Sequence, residues 1–154
     1  MLRPGTPAPD FEATSHDGRR IRLSDFRGRK NVVLFFYPRD FTAVCTREVC
    51  AFRDAHAELA GLDAEILGIS TDDKDRHAQF AEKHGVPYLL LSDVSGAIGK
   101  SYGVLSGLRG LLGIAARVTY VIDKEGIIRG AVRSELNVPR HLEEVRKVLA
   151  SLAP

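Results

Sequence analysis

A chain of 154 residues, 44% apolar and 27% charged, has the make-up of a folded domain and not of a disordered segment. At this length folding buries roughly 70% of the unfolded surface without help from metals or disulfides, and a net charge of +2 with no long run of Lys and Arg argues against a nucleic-acid partner. No apolar run approaches the ~18 residues of a membrane span, the N-terminal stretch holds no signal-like apolar core, and two cysteines are too few for a secreted disulfide scaffold.

The expectation is one domain over residues 1–154, in a reducing cytoplasm where a thiol pair is more often catalytic than structural. The beginning is rich in turns, with Pro4, Gly5, Pro7, Pro9, Gly18 and Gly28, and the alternation over Arg20–Leu23 fits a short strand after the His16-Asp17-Gly18 turn. Asn31–Tyr37 is a β-branched and aromatic run stopped by Pro38, the pattern of a strand covered on both faces. Thr46–Leu59 sets Val49, Cys50, Phe52, Ala55 and Leu59 among charges, an amphipathic helix. Glu65–Ser70 reads as a strand and Asp73–His84 as a helix stopped by Gly85 and Pro87. Tyr88–Leu91 reads as a strand and Gly96–Tyr102 as a short helix.

Gly103–Ala116 carries too many glycines for a long helix and reads as a loop or frayed helix. Its Leu108, Leu111, Leu112 and Ile114 either fold back onto the core or form an exposed apolar collar. Val118–Ile122 and Ile127–Val132 flank the turn Asp123-Lys-Glu-Gly126 as a hairpin, and Pro139–Leu152 is a last helix with proline at its first position. The order β-α-β then β-β-α gives an α/β fold of thioredoxin-like type, a central mixed sheet flanked by helices. His16, His56, His77, His84 and His141 have polar neighbours and read as surface or capping residues.

The chemistry concentrates in Pro38-Arg-Asp-Phe-Thr42-Ala-Val-Cys45-Thr-Arg-Glu48-Val-Cys50. A buried strand ends, a loop follows, and Cys45 stands where a helix begins. Open α/β sheets place their sites beyond the carboxyl ends of strands. Unpaired backbone N–H groups and the positive end of the helix dipole favour the thiolate there, the form that attacks electrophiles. Thr42 can bring a hydroxyl beside the sulfur. The competing reading, a small buried inert cysteine, is weakened by the company of Pro38, Thr42 and Cys50. In a continuous helix, residues five apart have Cα atoms about 8.6 Å apart, beyond the ~7 Å reach of a disulfide. Cys45 and Cys50 therefore either never pair or pair only when the first turns unwind. No histidine stands at ligand spacing to make a zinc site, and the spacing is not the Cys-x-x-Cys of thioredoxin.

Pro38, Thr42 and Cys45 resemble the Pro-x-x-x-Thr-x-x-Cys motif of peroxiredoxins, and Cys45-Thr-x-Glu48-x-Cys50 resembles the Q-type branch, the bacterioferritin comigratory proteins. Three more segments match the family in order: Gly5-Thr-Pro-Ala-Pro-Asp-Phe11, Leu23-Ser-Asp-Phe-Arg-Gly28 and Arg117-Val-Thr-Tyr-Val-Ile-Asp123. The resemblance implies a peroxiredoxin-type thioredoxin fold and a thiol peroxidase. It makes Cys45 the peroxidatic nucleophile and Cys50 its resolving partner. It has Pro38 shield the sulfur, Thr42 bond the peroxide, Arg117 stabilise the thiolate and Glu48 orient Arg117.

By the same resemblance the substrate is a hydroperoxide and the reductant thioredoxin or a similar dithiol. Neither metal, haem nor flavin is expected, nor a membrane, and the chain should be a monomer or weak homodimer. Two other readings stay open from the residues. One is a one-cysteine peroxidase resolved by an external thiol, and the other a thioredoxin-fold redox sensor or holdase acting through a partner.

Overall fold

The structure, a computed structural model, describes residues 1–153. Its central element is the strand Asn31–Phe36 (β3), buried at every position because neighbours pair along both edges and side chains cover both faces. Ala64–Ser70 (β4) and Leu89–Ser92 (β5) follow it in parallel, while on its other side Val118–Ile122 (β6) runs antiparallel to it and Ile128–Arg133 (β7) antiparallel to β6. Glu12–Ser15 (β1) joins β5, and Arg20–Arg22 (β2) closes that edge, giving one seven-stranded sheet in the order β2-β1-β5-β4-β3-β6-β7. The expected mixed sheet is therefore present. β1 escaped the sequence reading because Glu-Ala-Thr-Ser offers only small and polar residues, and its pairing comes from neighbours on both sides.

The period of two along β3 sorts its side chains. Val32, Leu34 and Phe36 enter one core with Leu67, Tyr102 and Tyr120, and Val33, Phe35 and Tyr37 enter the other with Phe52, Phe80 and Leu149. Each such large side chain removed from water contributes roughly 1.5–3 kcal/mol. The second core is roofed by helices Ala43–Asp54 (α1), Lys74–His84 (α3) and Val138–Leu152 (α6), which contribute Val49 and Phe52, Phe80 and Ala81, and Val145 and Leu149. Phe52 stacks on Phe35 with ring centroids 4.6 Å apart, fixing α1 over the middle of the sheet. Gly68 on β4 makes this possible: a Cβ there would come within 2.7 Å of the Phe35 ring.

Helix ends follow local chemistry. Asp73 caps α3 by accepting from Arg76 N–H at 2.8 Å, and Gly85 ends it in the left-handed region with φ 59°. Asn137 caps α6 from the residue before Val138, so Pro139 stands one position further inside than expected. The helix expected over Thr46–Leu59 differs more. It starts earlier, at Ala43, and breaks at Ala55, after which His56–Gly61 (α2) begins. The remaining helices, Ala97–Ser101 (α4) and Gly107–Leu112 (α5), are short.

Candidate active site

The site forms where β3 ends. The antiparallel register pairs Phe36 with Val118, so Arg117, just ahead of β6, comes beside Tyr37 and the loop that Pro38 opens. The loop returns into α1 at its cap Thr42, which has extended backbone, and Cys45 lies in the first helical turn. The first N–H groups of a helix have no acceptor within it, so the amides around Cys45 are free to meet an oxygen or a sulfur.

Arg117 joins these pieces. Its Nη2 donates to Cys45 Sγ at 3.3 Å and its Nη1 to Glu48 Oε1 at 3.1 Å. Nε donates to the carbonyl of Glu135 at 2.9 Å, so the guanidinium plane is fixed along its whole fork. Cys45 and Glu48 are three residues apart on one face of α1, which is why one guanidinium reaches both. Arg117, Cys45 and Glu48 are all buried, Cys45 and Glu48 with no exposed surface. Burial pushes the Glu48 carboxyl up to about 7, and Arg117 opposes that rise without cancelling it.

The other expected residues fall around this pair. Pro38 is half-buried at the head of the loop. Thr42 is exposed and its Oγ1 donates to Arg39 O at 3.0 Å, which commits its hydrogen and leaves the oxygen able to accept. Cys50 is half-buried on α1, and both cysteines are free thiols. With α1 unbroken between them, they are not positioned to bond.

The pattern of the AhpC/TSA family matches residues 4–131. The chain belongs to that family and is a peroxiredoxin. It is 40% identical over 148 residues to peroxiredoxin Q, chloroplastic, of Oryza sativa subsp. japonica, covering 96% of this chain and 67% of the relative. Among solved structures it resembles peroxidoxin BcpB of Mycobacterium tuberculosis, with a TM-score of 0.91, 36% identity and 100% of each chain covered. It also resembles peroxiredoxin Q of Xanthomonas campestris, with a TM-score of 0.79, 28% identity, and 92% and 89% of the two chains covered.

Two buried histidines of this peroxiredoxin escaped the sequence reading, which placed them at the surface. His141 has no exposed surface. Its Nε2 donates to Ser134 O at 2.8 Å and its Nδ1 is 2.7 Å from Thr119 Oγ1. Burial lowers its pKa from the ordinary 6.5. His77 is equally buried, with Nδ1 2.6 Å from Asp40 Oδ2 and Nε2 2.9 Å from Leu91 O. Each was findable from helical period: His77 precedes Phe80 and Ala81 by three and four residues, and His141 precedes Val145 and Val148 by four and seven. Of the others, His16 is half-buried and accepts from Leu90 N–H at 3.1 Å through Nδ1. His84 stacks edge-on against Phe80 at the end of α3.

Asp40, Asp72 and His77 bring three ligand-capable atoms within 4.8 Å of one another. Each is already engaged by protein groups. Asp72 accepts from Asp40 N–H and Ser70 Oγ and pairs with Arg76, and Asp40 accepts from Tyr37. Those hydrogen bonds satisfy the cluster without a cation.

For the segment before Arg117 the structure decides between the two readings of its leucines. It folds as the short helix α5, and its leucines do not return to the core: Leu108, Leu111 and Leu112 are 71%, 86% and 59% exposed. Arg109 ties this helix to the site by pairing with Glu135, whose backbone holds Arg117. A surface cleft lined by Asn31, Asp63, Lys124 and Arg129 lies instead at the opposite end of β3 from Cys45.

Proposed function

We propose that this peroxiredoxin reduces hydrogen peroxide and organic hydroperoxides through Cys45, with Cys50 as the resolving thiol and thioredoxin or a similar dithiol as reductant. The observation that carries the reading is the 3.3 Å contact of Arg117 Nη2 with Cys45 Sγ. A fixed cation beside a sulfur at a helix N-terminus stabilises the thiolate that attacks.

In the first step the Cys45 thiolate sulfur bonds to one peroxide oxygen and the O–O bond breaks. The other oxygen leaves as water or alcohol after taking a proton, and Cys45 becomes a sulfenic acid. Arg117 and the first-turn amides lie where negative charge develops. Thr42, its hydrogen held by Arg39 O, accepts from the peroxide hydroxyl. Pro38 shields the sulfur and Glu48 orients Arg117 through its 3.1 Å bond.

In the second step the Cys50 thiolate attacks the sulfenic sulfur, the S–O bond breaks, the hydroxyl leaves as water after taking a proton, and a disulfide forms. That step requires the first turns of α1 to open, because an intact helix keeps the Cα atoms about 8.6 Å apart. In the third, a dithiol donor exchanges twice with the disulfide, returning both thiols and leaving as its own disulfide.

Mass spectrometry after one equivalent of hydroperoxide tests this reading. The expected product is two hydrogens lighter, with Cys45 joined to Cys50. An unchanged mass would overturn the peroxidase reading, and a stable gain of one oxygen would overturn the role of Cys50.

A further inference from the structure

Asp40 has no exposed surface, stands ahead of Thr42 and Cys45 on the active-site loop, and has no part in the steps above. Tyr37 Oη donates to Asp40 Oδ1 at 2.5 Å, and Asp40 Oδ2 lies 2.6 Å from His77 Nδ1. The second nitrogen of His77 must donate to Leu91 O at 2.9 Å, since a carbonyl only accepts. The backbone of Asp40 is held too. Its N–H donates to Asp72 Oδ2 at 2.8 Å and its carbonyl accepts from Arg76 Nη2 at 3.2 Å. One loop residue is thus fastened to β3, to the turn after β4, to α3 and, through His77, to β5.

The next residue shows how firmly. Phe41 has φ 65°, the left-handed region that non-glycine residues avoid. Its ring stands edge-on to Phe80 at 5.0 Å, with Arg76 5.1 Å above it. A conformation of this kind persists only where the surroundings over-determine it.

We infer that Tyr37, Asp40 and His77 form a positioning clamp that sets the balance between the closed loop, where Cys45 meets peroxide, and the opened loop, where Cys45 reaches Cys50. The inference rests on the proposed peroxidatic and resolving roles of the two cysteines. Attack on peroxide needs Arg117, Thr42 and the first-turn amides assembled around Cys45. Resolution needs those same turns dissolved. One end of the opening segment is held by Phe52 on Phe35. The other end is Asp40, so the strength of its fastening governs how often the turns between open.

The sulfenic acid then meets two fates. Cys50 attacks it in the opened state, releasing water. In the closed state a second hydroperoxide transfers an oxygen to the sulfur, its O–O bond breaks, and water or alcohol leaves behind a sulfinic acid. A tight clamp favours the second fate and a loose one the first.

The experiment compares wild type with Tyr37→Phe and His77→Gln, using rapid quench and intact-mass analysis to time sulfenic acid, disulfide and sulfinic acid. Tyr37→Phe removes one hydroxyl and keeps the ring in its core. Loss of one hydrogen bond to a buried carboxylate should speed disulfide formation about tenfold. The hydrogen peroxide concentration that drives half of Cys45 to sulfinic acid should rise by a similar factor, and first attack should slow. Lower thermal stability with all three quantities unchanged, or attack and resolution slowed together, would overturn the clamp. Failure of the cysteine roles would look different, since wild type itself would then form no disulfide.

Discussion

His141 Nδ1 stands 3.7 Å from Glu48 Oε2, an oxygen that no hydrogen bond satisfies. The distance is too long for a bond, and Nδ1 already receives the Thr119 hydroxyl at 2.7 Å. Arg117 is left as the cation that answers a carboxylate wholly removed from water.

That arrangement has a pH signature. Glu48 titrates near 7 in the fold and at its ordinary 4.5 when unfolded, so its ionisation opposes folding. The penalty is absent below pH 4.5, grows between the two values and is complete above 7, where it is on the order of 3 kcal/mol. Glu48→Gln keeps an oxygen for Arg117 and removes the titration. Urea unfolding of both proteins at pH 5 and pH 8 should show wild type losing stability relative to the variant as pH rises. His141 acts in the opposite direction, because burial lowers its pKa and its protonation on unfolding costs stability in acid. It is present in both proteins and cancels in the comparison.

Arg117→Ala should slow hydroperoxide reduction by about 10²-fold or more, the scale of losing a preorganised charge at a developing anion. Arg117→Lys should recover little, because an ammonium cannot hold Cys45, Glu48 and Glu135 O at once. Stopped-flow rates against hydrogen peroxide decide this. A lysine variant near the wild-type rate would mean that charge alone suffices.

Cys45→Ser should abolish turnover, since a serine hydroxyl is a far weaker nucleophile than a thiolate and cannot form the sulfenic acid. Cys50→Ser should instead allow one turnover and leave Cys45 as a trappable sulfenic acid. Steady turnover of that second variant with a dithiol alone would assign resolution to an external thiol.

Hydrogen exchange should report the opening of α1. In the disulfide form, amides from Cys45 to Arg53 should exchange faster than in the dithiol form. Equal protection in both forms, with the disulfide verified, would contradict a helix that has to open.

The exposed leucines of α5 give the last test. An apolar collar beside Arg117 would hold the alkyl part of an organic hydroperoxide, at roughly 0.8 kcal/mol for each buried CH₂. A bulky hydroperoxide should then show a lower KM than hydrogen peroxide, and Leu111→Ser with Leu112→Ser should erase the difference. Equal loss with both substrates would refute the collar.

The sequence exposed the frame of the fold and the front of the site, for physical reasons. Asn31–Phe36 announced a doubly covered strand, and Asp73 with Gly85 bounded α3, because burial and caps act locally. Pro38, Thr42 and Cys45 are close in the chain, so their meeting needed no fold. Arg117 was reachable only through a family landmark, since its place beside Cys45 comes from β3–β6 register. Asp40 and His77 meet across 37 positions of chain, and polar neighbours in sequence hid their burial. α5 stays as short as its glycines require, and Ser106 O and Arg109 O accept from Gly110 N–H and Ile114 N–H to give it its turns.

The proposed resolution step would dismantle part of α1 at each turnover, and the break at Ala55 sets where such opening would stop. The backbone there leaves the helical path at ψ −1°, and Leu59 N–H restarts the ladder on Ala55 O. Arg53 Nη1 also fastens the end of α1 to His84 O at 2.8 Å. Unzipping that began at Ala43 would thus meet a last stitch ahead of α2. Under that proposal the reversible wear of catalysis would be confined to a few turns of one helix, and the sheet beneath would be spared it.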